Sequence, residues 1–182
     1  MHKNIVITGA TDGIGLAAAK SIAKKDYNLI LVGRNPEKGK KAIETIISNT
    51  GNENLDFFEC DLSLVANVKD LSDKIKQKYS KIDVLLNNAG GANKTKQITT
   101  EGLEKTFATN QMNYFVLSTE LLEIISESND GRIVNVASNA HIGAEVDYEN
   151  INSEKSFSAW TSYCVSKLMN IMFTYQLSSI QD

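Results

Sequence analysis

Three observations predict an α/β fold, a doubly wound parallel sheet: short strands that are apolar without a break, helical periods between every two of them, and a glycine turn joining the first strand to the first helix. Ile5 to Thr8 reads as a first strand covered on both faces. From Gly13 to about Lys25, Ile14, Ala17, Ala18 and Ile22 form a small apolar stripe that suits a helix lying close on a sheet. Leu29 to Val32 is the second strand, and it ends in Gly33, Arg34 and Asn35. Pro36, the single proline, starts the next helix behind Asn35 as N-cap, with Ile43, Ile46 and Ile47 on its apolar side. Leu55 to Cys60 is the third strand, and Val65, Val68, Leu71, Ile75 and Tyr79 mark a helix by their three- and four-residue steps.

Ile82 to Leu86 gives the fourth strand, a helical segment runs from about Glu101 to Ser126, and Arg132 to Ala137 gives the fifth strand. A polar stretch from Asn139 to about Phe157 precedes a last helix beginning near Ala159. Parallel strands need right-handed crossovers, so the helices fall on both faces of the sheet. That last helix, with Cys164, Val165, Leu168, Met169, Ile171, Met172, Phe173, Tyr175 and Leu177, is apolar nearly all round and needs cover on more than one side.

With 182 residues, 42% hydrophobic, residues 1–182 suffice for one core and one domain. A net charge of -3 gives no electrostatic reason to expect nucleic acid or an anionic membrane surface as partner. Cys60 and Cys164 follow no metal-ligand spacing and read as small buried side chains in a reducing compartment; no metal site is expected. The chain enters its first strand almost at once and holds no apolar run of membrane-spanning length, so the expected location is cytoplasmic.

The chemistry starts at Thr8-Gly9-Ala10-Thr11-Asp12-Gly13-Ile14-Gly15, a turn whose glycines allow close backbone approach and whose following helix offers free N–H groups to an anion such as a pyrophosphate. Arg34 stands at the end of the second strand, where a carboxylate would hydrogen-bond the ribose 2′-hydroxyl of NAD and an arginine pairs instead with the 2′-phosphate of NADP. Asp12 brings a negative charge near it and tempers that preference. Asp61-Leu62 and Asn87-Asn88-Ala89-Gly90 follow the third and fourth strands at the sheet edge where open α/β folds bind ligands; read locally, Asp61 is a helix N-cap and the second run a turn. Tyr163 and Lys167, four apart on the last helix, share one face. A free phenol ionises near pH 10, and an ammonium about 4 Å away supplies on the order of 4 kcal/mol toward acid/base work near neutrality.

These pieces occur in one order: the glycine turn, Asp61-Leu62, Asn88-Ala89-Gly90, Asn110 in a helix, Arg132 to Ser138, then Tyr163 with Lys167. In that order the chain resembles the short-chain dehydrogenase/reductase family over almost its whole length. Phe107-Ala108-Thr109-Asn110 and Ser138-Asn139-Ala140-His141 resemble its retinol-dehydrogenase-like branch, with Ala137 where that branch repeats serine. The resemblance implies a Rossmann-like dinucleotide-binding domain. It also implies an NADP-dependent oxidoreductase that moves a hydride between nicotinamide and a small-molecule alcohol or carbonyl. By that resemblance Tyr163 is the acid/base, Ser138 orients the substrate oxygen, Lys167 holds the nicotinamide ribose, and Asn110 positions a relay water. The cofactor contacts fall to Thr8, Gly9, Gly13, Ile14, Gly15, Arg34, Asp61, Leu62, Asn88, Ala89, Gly90, Tyr163 and Lys167. The chain ends at Asp182, before two further strands and a substrate segment that the resemblance leads one to expect. A homo-oligomer is therefore expected, and a non-catalytic dinucleotide-binding or oligomerisation module is the competing reading.

Overall fold

The computed structural model describes residues 2–179. Five parallel strands, β1 (Asn4–Thr8), β2 (Asn28–Gly33), β3 (Leu55–Glu59), β4 (Val84–Asn87) and β5 (Arg132–Asn135), lie in the order β3-β2-β1-β4-β5. The order reverses between β1 and β4, so a crevice opens above their carboxyl ends, the switch point at which such sheets hold ligands.

Alternate side chains of the central strands feed two cores. Val6, Ile30, Val32 and Leu85 meet α3 (Val65–Lys78) and α5 (Asn113–Ser126) through Leu71, Ile75, Leu117 and Leu121. On the other face Ile5, Ile7, Leu29 and Leu31 meet α1 (Gly13–Ala23) and α2 (Pro36–Thr50) through Ala19, Ala23 and Ile46. Asn35 caps α2 by accepting the Lys38 N–H at 2.9 Å, and Pro36 occupies its first turn, as the sequence predicts.

Several local expectations shift. The buried stripe of α1 is Gly15, Ala19 and Ala23; Ala17 and Ile14 are exposed, Ile14 to 72%. Only the smallest side chains allow the close approach to β1, because a Cβ on Gly15 would lie 2.2 Å from the Gly9 carbonyl oxygen. Asp61 does not cap α3. It folds back on the N–H and hydroxyl of Ser63 at 3.0 and 2.7 Å, while the first N–H groups of α3, on Val65 and Ala66, donate to the Glu101 carboxylate at 2.6 and 2.9 Å.

The segment expected as one helix from Glu101 instead begins at α4 (Lys105–Phe107), passes through a π-helical turn, Ala108–Met112, and continues as α5. The fifth strand stops two residues before Ala137, and a 3-10 turn, Asn139–His141, follows Ser138. α6 (Ala159–Ser178) packs against that turn, the π segment and β5. Its buried side chains are Cys164, Ser166, Lys167, Asn170 and Leu177, whereas Trp160, Met172 and Tyr175 face outward. β5 is a sheet edge with Val134 exposed. Both cysteines are buried and free, and among the described residues there is no cluster able to hold a metal and no helix long and apolar enough to cross a membrane.

Candidate functional site

The carboxyl ends of β1, β2, β3 and β4 enclose a cleft of about 800 Å³, at the large end of the range for ligand sites. Gly9, Gly13 and Ile14 of the first turn line it, with Arg34 after β2, Asp61 and Leu62 after β3, and Asn88, Ala89 and Gly90 after β4. Thr8 and Gly15 do not line the cleft; they build the turn that does. The Thr8 hydroxyl accepts the N–H groups of Asn88 and Ala89 at 2.8 and 3.0 Å, and the Asn88 amide donates back to the Thr8 carbonyl at 2.9 Å. This clamp fixes the β1 end to the β4 end. Gly9 and Gly13 have φ of +65° and +49°, in the left-handed region that glycine adopts without strain. The turn can therefore present the first N–H groups of α1 to an anion, and the cleft fits an elongated, phosphate-bearing ligand laid across the switch point.

At the β4 end of the cleft lies the second group of residues. A Cβ on Gly90 would come within 3.0 Å of Asn110 Oδ1 and 3.5 Å of Lys167 Nζ, so backbone, amide and ammonium meet around one point. Asn110 sits in the middle of the π turn, a helix distortion that often accompanies function. Its Oδ1 accepts the Gly91 N–H, and its Nδ2 donates to the Gly91 carbonyl and to Ser166 Oγ, each at 2.9 Å. Both amide protons are thus used, and one Oδ1 lone pair remains for anything further. The observed work of Asn110 is to brace the Gly90-Gly91 turn against α6.

Lys167 Nζ donates to the Val136 carbonyl at 2.9 Å, which ties α6 to the chain just beyond β5. The ammonium lies 5.5 Å from the ring centre of Tyr114 and 5.8 Å from that of Tyr163, within reach of the faces of two aromatic rings. Burial pushes Lys167 down to about 8, because taking the charge out of water favours the neutral amine. Tyr114 is fully buried, its hydroxyl has no partner, and desolvation, followed by the proximity of Tyr163, raises its ionisation above the usual phenol range. Tyr163 is half-buried on the α6 face that carries Lys167. Ser138 is also half-buried. Its hydroxyl accepts the Ala140 N–H at 3.2 Å, and its carbonyl accepts the His141 N–H at 3.1 Å. α6, which carries Tyr163, packs on the 3-10 turn that follows Ser138.

Sequence reasoning did not single out Lys38, Asn93, Lys105 or Thr109, all on the cleft wall. Lys38 pairs with Asp12 at 3.2 Å. Asp61 is drawn upward by burial, but the two bonds from Ser63 and then the charges of Lys105 and Arg34 outweigh this and hold it below the usual carboxylate value. Cys60, beside it on the wall, is pushed up to about 12 by burial and by the charges of Asp61 and Asp70, so it stays a thiol.

The sequence profile of the family described as short chain dehydrogenase matches residues 3–179. The chain belongs to that family. Human polyprenol dehydrogenase is 33% identical over 179 residues, covering 96% of this chain and 54% of its own length. Human retinol dehydrogenase 11 is 35% identical over 176 residues, with coverages of 97% and 55%. A crystal structure from Mycobacterium paratuberculosis superposes with a TM-score of 0.83 at 31% identity, covering 96% of this chain and 61% of that one. A Shigella flexneri short chain dehydrogenase, solved as a complex with NADP, superposes with a TM-score of 0.77 at 24% identity, covering 97% of this chain and 71% of that one, a likeness of fold. This short chain dehydrogenase chain spans about half the length of the curated relatives it matches.

Proposed function

We propose that this chain carries the cofactor-binding and acid/base parts of an NADP(H)-dependent oxidoreductase that interconverts an alcohol and a carbonyl compound. The observation that carries the proposal is the placement of Lys167: a buried ammonium beside Tyr163, next to Gly90 at the inner end of a cleft whose outer end holds Arg34. The nicotinamide, when bound, supplies the hydride. The protein's share is to bind, orient and move one proton. In this reading Gly9, Gly13, Ile14 and the α1 N-terminus hold the pyrophosphate, with Thr8 and Gly15 shaping the turn. Asp61 and Leu62 border the adenine, and Asn88, Ala89 and Gly90 border the nicotinamide half. Lys167 binds its ribose, Tyr163 gives a proton to the carbonyl oxygen in the reductive direction, Ser138 orients that oxygen, and Asn110 holds Gly91 and α6 in place. The names of the relatives, a polyprenol and a retinol dehydrogenase, favour a long apolar alcohol or aldehyde as substrate.

Preference for NADP(H) rests on Arg34, which is exposed on the cleft wall and has no ion-pair partner among the described residues. Titrating the purified chain with NADPH and with NADH, followed by nicotinamide fluorescence, tests this. Arg34→Ala weakens NADPH by roughly 1 to 3 kcal/mol, the scale of a hydrogen bond to a charged group, and leaves NADH nearly unchanged. Equal losses for the two cofactors remove Arg34 from the 2′-phosphate.

Self-association is part of the same proposal. Phe115 of α5 and Phe173 of α6 stack edge to face at 5.6 Å, Phe115 is 46% exposed, and Met172 and Trp160 lie open on α6. An apolar surface of that kind on two neighbouring helices suits a second subunit. Light scattering of the chain is expected to give a dimer or larger species. A monodisperse monomer at micromolar concentration would count against it.

A further inference from the structure

A lysine taken out of water ordinarily faces a carboxylate, and Lys167 does not. It is 4% exposed, yet among the described residues it has no ion-pair partner. α6 packs on α4, the π turn, the 3-10 turn and β5, and the titratable groups there are engaged elsewhere. Glu104, capping α4, accepts the Thr106 and Phe107 N–H groups, each at 2.9 Å, and Lys105 reaches Gln97 at 3.2 Å. The π turn brings no titratable group. His141 of the 3-10 turn lies 2.6 Å from the Ser138 carbonyl, and Arg132 of β5 pairs with Asp130 at 2.8 Å. What holds the amine is one uncharged bond, to the Val136 carbonyl, and two rings, Tyr163 on its own helix and Tyr114 from α5.

The two rings are not equivalent. Tyr163 is half-buried, whereas Tyr114 has no exposure at all, and a cation gains most from a ring face where water is excluded. The Tyr114 hydroxyl has no partner among the described residues, so the ring and not the hydroxyl makes the contact. A carboxylate in that place would pair with the ammonium and cancel the positive field it exerts on the Tyr163 phenol. An aromatic face holds a cation through its quadrupole and carries no net charge, so that field is kept.

We propose that Tyr114 is a positioning residue for Lys167: its ring face takes the place of a counter-ion and holds the buried ammonium beside Tyr163 without neutralising it. The consequence for turnover rests on the role given to Lys167 in the proposed function, but the contact itself is read on the free protein. Lysine carrying 13C at Cε is incorporated into the purified chain, and the Lys167 signal, identified by its loss in Lys167→Met, is followed by NMR against pH. Its midpoint is expected at about 8. Tyr114→Phe keeps the ring and leaves that midpoint within about 0.3 unit, with a melting temperature equal or higher because an unpaired buried hydroxyl is gone. Mono-, di- and trifluorophenylalanine at position 114 withdraw charge from the ring face while changing its volume little, so the midpoint falls stepwise, by about one unit in all, a tenfold loss of proton affinity. Tyr114→Leu falls at least as far.

A structural role alone would leave the fluorinated series at one midpoint, and that result overturns the inference. A fall in Tyr114→Phe as large as in Tyr114→Leu also overturns it, since the hydroxyl would then be the working group. In turnover with NADPH and a small aldehyde, the alkaline limb of kcat/KM moves with the midpoint in every variant. If the midpoint moves and the limb stays, the ring contact stands and the acid/base reading of Lys167 fails.

Discussion

Under the proposed function, Tyr163→Phe is expected to abolish nearly all turnover while leaving the cofactor bound. The substitution keeps the aromatic ring, and with it the ring face that Lys167 approaches at 5.8 Å, and removes only the hydroxyl. A positioned proton donor contributes about two to four orders of magnitude, so kcat falls by that factor with a small aldehyde or ketone and NADPH. The Kd for NADPH, measured by fluorescence, should stay within about twofold, since the proposal gives the pyrophosphate and ribose contacts to other residues. A variant that keeps its turnover would remove Tyr163 from the acid/base role and leave Ser138 as the other hydroxyl proposed for the reacting oxygen.

Much of this was open to reading along the chain, and the reason is local. A strand followed by Gly9, Gly13 and Gly15, and a proline behind an asparagine cap, are conformational statements made by a few neighbouring residues, and each reappears in the fold. Strands buried on both faces announce themselves by composition, as Ile5 to Ile7 and Leu29 to Val32 do. What escaped depends on contacts between distant parts of the sequence. Glu101 caps α3 from the far side of β4, and no periodicity records such a partner. The π turn around Asn110 is a single-residue change of phase that a long apolar helix pattern absorbs. The buried stripe of α1 was set by the smallness of Gly15, Ala19 and Ala23, not by the hydrophobicity of Ile14. Lys38 looks like any lysine on a helix until the parallel pairing of β1 with β2 lays the Asp12 turn beside the first turn of α2.

Replacing Lys167 by methionine separates stability from activity. In the free protein the amine is cationic below about pH 8 and neutral above it, since burial has moved its ionisation down from 10.5. Reduction of a carbonyl by the proposed route needs the cation beside the Tyr163 phenol, so kcat/KM is expected to fall about tenfold per pH unit on the alkaline side of that value. Lys167→Met removes the limb together with the charge and lowers kcat/KM by about two to three orders of magnitude, the usual scale for deleting one preorganised electrostatic group. The stability argument runs with the opposite sign. Between pH 8 and 10.5 the unfolded chain binds more protons at this lysine than the folded one, so its contribution to stability rises as pH increases through that window. At pH 7 the fold carries a buried cation whose main compensations are the Val136 carbonyl and two aromatic faces, and methionine fills similar space without charge. The melting temperature of Lys167→Met is therefore expected to equal or exceed that of the unaltered chain at pH 7, with the difference shrinking toward pH 10. A variant that melts far lower at pH 7 would make Lys167 a structural tie between α6 and β5 and not a charge placed there at the expense of the fold.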